Sequence, residues 1–167
     1  RHLIALGHRD IAYISTDRGV SLSFSVKSRF NVFCDCCRKE GIEPQIVVCK
    51  VDHDGHYQIG DVVTQLMSLP QMPTAIACQE DGIALPLLFQ LERNGFAVPG
   101  DISLIGYDDS FYTNDIGLTT IRQDPAEMAR TAARMTLDLI QGHELSPAFV
   151  DVPAQLVVRS STASVRH

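Results

Sequence analysis

Short β-branched runs alternate with amphipathic stretches along this chain, the pattern of an α/β fold built on a parallel sheet. Asp10 to Ser15 (DIAYIS) reads as the first strand. Val26, Phe30, Phe33, Cys34 and Cys37 then recur at i, i+4, i+7, i+8 and i+11, one face of a helix that Gly41 is placed to end. Gln45 to Val51 is the second strand. Ile59, Val62, Val63 and Leu66 mark a second helix, closed before Pro70 and Pro73, and Thr74 to Cys78 follows as the third strand. Ile83, Leu87, Leu88 and Leu91 give a third helix ended by Gly95, and Ile102 to Tyr107 is the fourth strand.

The last helix carries the fullest set of boundary signals. Asp124 can cap it, Pro125 suits its first turn, Glu127 stands three residues after the cap, and Gly142 ends it. Ala129, Ala132 and Ala133 on one face allow a neighbour to approach closely, and Gln155 to Arg159 forms a final strand. The opening Arg1 to Gly7 reads as the last turns of a helix whose beginning lies outside the chain, so a fragment of a longer protein is expected. The fold class is therefore α/β, a parallel sheet with helices on both faces.

Composition narrows the function. The 167 residues suit one domain with a sizeable core. Net charge is −6, and no run of Lys or Arg occurs, so the chain itself is not built to hold nucleic acid. No apolar stretch reaches the roughly 18 residues that cross a bilayer, and the start lacks the order of a signal peptide. Five cysteines include Cys34, Cys36 and Cys37, too crowded on one segment to pair with each other, which fits a reducing compartment. A cytoplasmic protein with no membrane partner is expected.

In an open parallel sheet every loop leaving a strand's carboxyl end lies on one edge, where ligands bind. Those loops are polar here: Ser15, Thr16 and Asp17; Asp52, His53 and Asp54; Gln79, Glu80 and Asp81; Asp108 and Asp109. Arg29, expected in the first turn of its helix, would face the same crevice. Carboxylates accept hydrogen bonds from hydroxyls and a guanidinium donates a planar pair, so the set suits a polyhydroxylated ligand. Solvated helix-capping acids are the plainer alternative for any one of them. A Mg²⁺-dependent phosphoacceptor or hydrolase site is the other alternative. The chain has no Gly-rich phosphate loop, no Gly-x-Ser-x-Gly elbow and no lysine after the later strands, so no enzyme is expected. His53 and His56 with Asp52 and Asp54 read as solvated loop residues rather than a metal site, and Cys34 and Cys37 as small hydrophobes. Neither cofactor nor metal is expected.

Several segments together resemble the lac repressor/galactose repressor (LacI/GalR) family of transcription regulators. They are His2-Leu3-Ile4-Ala5-Leu6-Gly7-His8-Arg9 with Ile11-Ala12-Tyr13-Ile14; Pro73-Thr74-Ala75-Ile76; Val98-Pro99-Gly100-Asp101-Ile102-Ser103-Leu104-Ile105-Gly106-Tyr107-Asp108-Asp109; Leu118-Thr119-Thr120-Ile121-Arg122-Gln123; and Leu156-Val157-Val158-Arg159-Ser160-Ser161-Thr162. The resemblance implies a periplasmic-binding-protein-like domain in which two α/β subdomains clamp a small effector, with dimerisation and an amino-terminal helix-turn-helix domain. Residues 1–167 would supply mostly the carboxy-terminal subdomain, with about 118–142 crossing back toward the other. The partners implied are a small-molecule effector, a carbohydrate being the expected class, a second copy in a homodimer, and operator DNA only through an amino-terminal domain outside this chain.

Residue by residue, Arg29 resembles the effector-binding arginine of the family's Arg-x-x-Gly-aromatic motif, with Phe33 as the aromatic and Val32 in place of glycine. Ser25 falls where some members contact ligand, Asp108 matches the effector-binding aspartate, and Gln123 falls where some members reach the pocket. Glu80 and Asp81 stand where the family commonly has Asn-Asp, which exchanges a donor-acceptor amide for an acceptor-only carboxylate. Gly55 aligns with a common aromatic platform, for which His56 or Tyr57 is the substitute. Pro86 replaces a common glycine and is expected to kink its helix. A transporter's periplasmic sugar-binding protein is the competing reading, and the segments around Thr119 and Val158 favour the regulator.

Overall fold

The computed structural model describes residues 1–17 and 23–165. In chain order the elements are α1 (His2–Ala5), β1 (Ile11–Thr16), α2 (Phe24–Lys39), β2 (Gln45–Cys49), α3 (Ile59–Met67) and β3 (Ala75–Cys78). They continue with α4 (Asp81–Arg93), β4 (Ser103–Ile105), α5 (Thr113–Ile116), β5 (Thr120–Arg122), α6 (Pro125–Ile140) and β6 (Gln155–Val157).

Four strands form one parallel sheet in the order β2-β1-β3-β4, with Tyr13 opposite Ile46 on one side and Ala77 on the other. Side chains of β1 and β3 are buried on both faces, whereas the edge strand β2 buries Val47 and Cys49 on one face and leaves Ile46 and Val48 exposed on the other. Ala12, Ile14, Val47, Ile76 and Leu104 meet Val62, Val63 and Leu66 of α3 and Ile83, Leu87 and Leu91 of α4. Ile11, Tyr13, Ala75 and Ala77 meet Leu3 of α1 and Cys37 of α2 on the other face, where Phe30 and Phe33 flank the Tyr13 ring at 5.6 and 4.8 Å. The faces of α2, α3 and α4 drawn from apolar spacing are the faces that pack, whereas Ala129, Ala132 and Ala133 of α6 stand exposed. All five cysteines are free, Cys34 and Cys37 buried and Cys36 half-buried.

At the amino edge His8 ties the sheet together. Its Nδ1 lies 3.0 Å from the Thr74 hydroxyl, and its Nε2 lies 3.0 Å from the Ser103 hydroxyl and from the Ala163 carbonyl oxygen. At the carboxyl edge the order reverses between β1 and β3, and Gln79 bridges that point by accepting from the Thr16 N–H at 3.0 Å.

Three expectations change. The second and fourth strands stop short of Val51 and Tyr107, and the last of Arg159, because the residues beyond them leave the ladder for turns. Helix α2 begins at Phe24 after an extended Ser23, so Arg29 lies in its second turn rather than its first; the exposed Phe24 is invisible to apolar spacing. Helix α4 runs on through Pro86, which costs the Gly82 carbonyl its partner without ending the helix. Two elements had no expected counterpart, α5 and β5.

β5 pairs antiparallel with β6, and residues 119–122 also run parallel to the chain leaving β4, through bridges Ile105↔Thr119 and Asp108↔Arg122. Leu118, Thr119 and Thr120 are buried there, whereas α6 buries no residue at all. Its Asp124 cap accepts from the Glu127 N–H at 2.8 Å as its boundary residues foretold, and Met128, Leu137, Leu139 and Ile140 stand exposed.

This division predicts opposite mutational responses. Leu87 is 0 % exposed and Leu137 56 %. In urea unfolding, Leu87→Ala is expected to cost about 2–5 kcal/mol. Leu137→Ala is expected to stay within about 0.5 kcal/mol of the parent.

Candidate functional site

Asp81, the first residue of α4, is 1 % exposed. Its Oδ1 accepts from the Thr120 hydroxyl at 2.7 Å, its Oδ2 from the Ser110 N–H at 2.8 Å, and its own N–H donates to the Tyr107 carbonyl at 2.8 Å. A side chain on Gly106 would put Cβ 2.1 Å from Asp81 Oδ1, which explains the glycine there. Both carboxylate oxygens are therefore committed to holding β5 and the loop after β4 against α4.

That loop is strained. Asp108 has φ 112° and Asp109 φ 56°, both in the region that non-glycine residues avoid. Asp109 is held by Arg159 Nη2 at 2.7 Å on one oxygen and by Arg122 Nε on the other, with the Thr113 hydroxyl donating at 3.0 Å. Burial pushes its carboxyl up, but the hydrogen bonds from Arg159, Arg122 and Thr113 outweigh that and hold it below the ordinary carboxylate range. Asp109 is thus an anchor.

Asp108 is left facing Arg29. Its Oδ1 accepts from Gln123 Nε2 at 2.9 Å and stands 3.9 Å from Arg29 Nη1, too far for a direct hydrogen bond. The Arg29 guanidinium lies 4.0 Å above the Tyr107 ring, a cation–π contact, and its Nε and Nη1 are buried without any partner among the described residues. Burial raises the Asp108 carboxyl, Arg29 and Gln123 oppose the rise, and Asp81 and Glu80 add to it. Arg29 Nη1 and Asp108 Oδ1, a donor and an acceptor 3.9 Å apart, suit a group that both accepts and donates, as a hydroxyl does.

Glu80 is half-buried, and the Tyr57 hydroxyl donates to its Oε1. Tyr57 is delivered by a tight turn in which Asp52 Oδ1 accepts from the N–H groups of Asp54 and His56, each at 2.9 Å. Burial, then the Glu80 hydrogen bond, raise the Tyr57 phenol. His56 itself is exposed on that turn, 3.4 Å from Asp52 Oδ2, and Ser25 is exposed with its hydroxyl on Ser23. Asp52, Asp54 and His56 offer ligand atoms within 4.8 Å of one another, a grouping that the turn's own hydrogen bonds account for.

The structure thus brings Arg29, Asp108 and Gln123 into direct relation, with Glu80 close enough to act on the Asp108 charge. It engages Asp81 internally, and it leaves Ser25 and His56 at the periphery with no contact to that group. Tyr107 as a guanidinium platform and Thr120, Arg122 and Arg159 as anchors were not anticipated. Only Tyr107 is adjacent to the polar loop in sequence; Thr120, Arg122 and Arg159 reach it from 11, 13 and 50 residues beyond Asp109. A cavity of about 660 Å³ extends from Arg29 and Tyr107 beneath α2, past Tyr13, Phe33 and Ile105 to Leu156; its walls are chiefly apolar, so the polar seat lies at its rim.

A family model described as a periplasmic binding protein-like domain matches residues 1–162. The transcriptional repressor CytR of Escherichia coli K12 is 32% identical over 98% of this chain and 48% of its own length. The chain spans about half the length of the curated relatives it matches. Among solved structures, a LacI family regulator from Bifidobacterium animalis has a TM-score of 0.86 at 27% identity, covering 99% of this chain and 59% of that one. A LacI family regulator from Enterococcus faecium with bound ribose has a TM-score of 0.78 at 26% identity, covering 99% and 60%. The Lac repressor dimer bound to operator and an anti-inducer has 0.77 at 29% identity, covering 97% and 55%. These relatives are regulators, neither enzymes nor transporter components, and no helix among the described residues is long and apolar enough to cross a membrane.

The anchor makes a pH prediction. Because the folded-state carboxyl of Asp109 is held low, its stabilisation is fully present above the ordinary carboxylate range and is lost as pH falls through that folded value. Asp109→Asn is expected to cost about 1.5–3 kcal/mol at neutral pH. Thermal melts from neutral to acid pH should converge for variant and parent; a constant offset throughout would contradict the role.

Proposed function

The chain belongs to the periplasmic binding protein-like domain family as it occurs in LacI-type transcription regulators, and from that premise we propose that its carboxyl-edge crevice senses a small hydroxylated effector. The observation that carries this reading is Arg29, whose buried Nε and Nη1 have no acceptor among the described residues while Asp108 stands 3.9 Å away. A ligand hydroxyl seated between them would accept from the guanidinium and donate to the carboxylate, replacing an unsatisfied pair of donors with charge-assisted hydrogen bonds. Gln123 donates to the same Asp108 oxygen that faces Arg29, and Glu80 supplies a further acceptor. The ribose carried by a similar regulator supports a carbohydrate as the effector class.

In the whole protein, this module would couple effector binding to operator affinity through a second lobe, a DNA-binding domain and a homodimer, in a cytoplasmic setting. Residues of about 118–142, helix α6 among them, would form the return crossing toward that second lobe. The apolar face that α6 leaves exposed here fits such a role, and the operator-bound Lac repressor dimer supports the assembly. The chain's own charge of −6 fits a domain that takes no direct part in holding DNA.

The test uses Arg29→Ala and Asp108→Asn in the full-length regulator, titrated with D-ribose. Each is expected to lose on the order of 1.5–3 kcal/mol of affinity, roughly 10- to 150-fold. Melting without ligand should move little, since neither side chain closes the core. Loss of the apo fold with binding unchanged per folded molecule would assign both residues to the scaffold instead.

A further inference from the structure

Glu80 has, among the described residues, neither a cationic partner nor donors on both of its carboxylate oxygens. Asp109 has Arg122 and Arg159, Asp108 has Arg29, and Asp81 is satisfied by Thr120 and Ser110. No ion pair among the described residues involves Glu80, although it is half-buried. It also occupies the N-cap position of α4, and its side chain makes no capping hydrogen bond there. Instead it turns to the Tyr57 hydroxyl, which engages Oε1, while no hydrogen bond among the described residues engages Oε2.

The surroundings keep that arrangement in place. The turn capped by Asp52 brings Tyr57 across to the start of α4, and a Cβ on Gly82 would lie 3.3 Å from the Tyr57 ring, so the ring sits against the helix backbone. Such a carboxylate attracts a positive group, hydrogen-bonds any hydroxyl that donates, and repels an anion. Asp108, close enough for its charge to raise the Tyr57 phenol, reinforces the same preference.

We infer that Tyr57 and Glu80 form a selectivity pair, which tunes this crevice to a hydroxylated effector carrying an ammonium group, an amino sugar being the simplest case. The inference rests on the effector-site reading above and adds the charge of the ligand to it. Arg29 and Asp108 seat a hydroxyl; Glu80, oriented by Tyr57, receives the ammonium. Tyr57 acts through Glu80 and is a positioning residue.

The experiment is calorimetric titration of the full-length regulator with D-glucose, D-glucosamine and D-glucuronate, three sugars of one ring skeleton that are neutral, cationic and anionic just below neutral pH. D-ribose is the reference. The parent is expected to bind D-glucosamine at least about tenfold more tightly than D-glucose, a ratio worth about 1.4 kcal/mol, and D-glucuronate most weakly. Glu80→Gln should bring the glucosamine-to-glucose ratio to about one, and Tyr57→Phe should lower it several-fold. A role confined to the fold would shift melting and leave the ratio alone. Binding of the neutral sugars with no preference for the amine in the parent, or a preference that survives Glu80→Gln, overturns the inference while leaving the effector site standing. Failure of all four sugars to bind the parent overturns both.

Discussion

The carboxyl edge depends on one buried carboxylate. Asp81 accepts from β5 through Thr120 and from the loop after β4 through Ser110, while its N–H ties α4 to Tyr107. Two separate parts of the chain, β5 and the loop after β4, converge on those oxygens at the start of α4, and Gly106 is small enough to let them. A buried charge of this kind persists only when its lone pairs are filled, and here backbone and hydroxyl donors fill them. Once they are filled, Asp108 and Asp109 are held at backbone angles that no isolated loop would keep.

From that constraint follows a division of labour among four adjacent acids. Asp81 and Asp109 are consumed by the fold, the first by neutral donors and the second by two arginines. Asp108 and Glu80 keep acceptor capacity in the crevice. Arg29 completes the set because its stacking on Tyr107 fixes the guanidinium plane while leaving two of its buried nitrogens unpaired. The edge is thus stiff where it is built and unsatisfied where a ligand would sit, which is the preorganisation that binding requires.

Periodicity along the chain was enough to place the parallel sheet, its two helical layers and the α6 boundaries, because burial on a face leaves a repeat in the sequence. The ends of β2 and β4 were drawn too long, since Val51 and Tyr107 are as β-prone as the residues before them and only long-range contacts bend the chain there. β5 was not separable from its flanks: its pairing is with β6 and with the chain after β4, partners remote in sequence. Type and position picked out Arg29, Asp108 and Gln123, which the fold brings together, yet nothing in an aspartate says whether its oxygens are spent. Asp81 and Asp109 therefore read like Asp108. Tyr57 was visible as a replacement aromatic, but its hydrogen bond to Glu80 depends on a turn whose geometry comes from Asp52.

The central claim is that the Arg29 guanidinium waits, without an acceptor, for a ligand oxygen. Side-chain NMR of isotope-labelled protein reads this directly through the Arg29 Nε–H group, followed as D-ribose is added to saturation. The account predicts a weakly hydrogen-bonded signal in the free protein that moves downfield in the complex. A signal already shifted downfield in the free protein, or one unmoved at saturation, would contradict it.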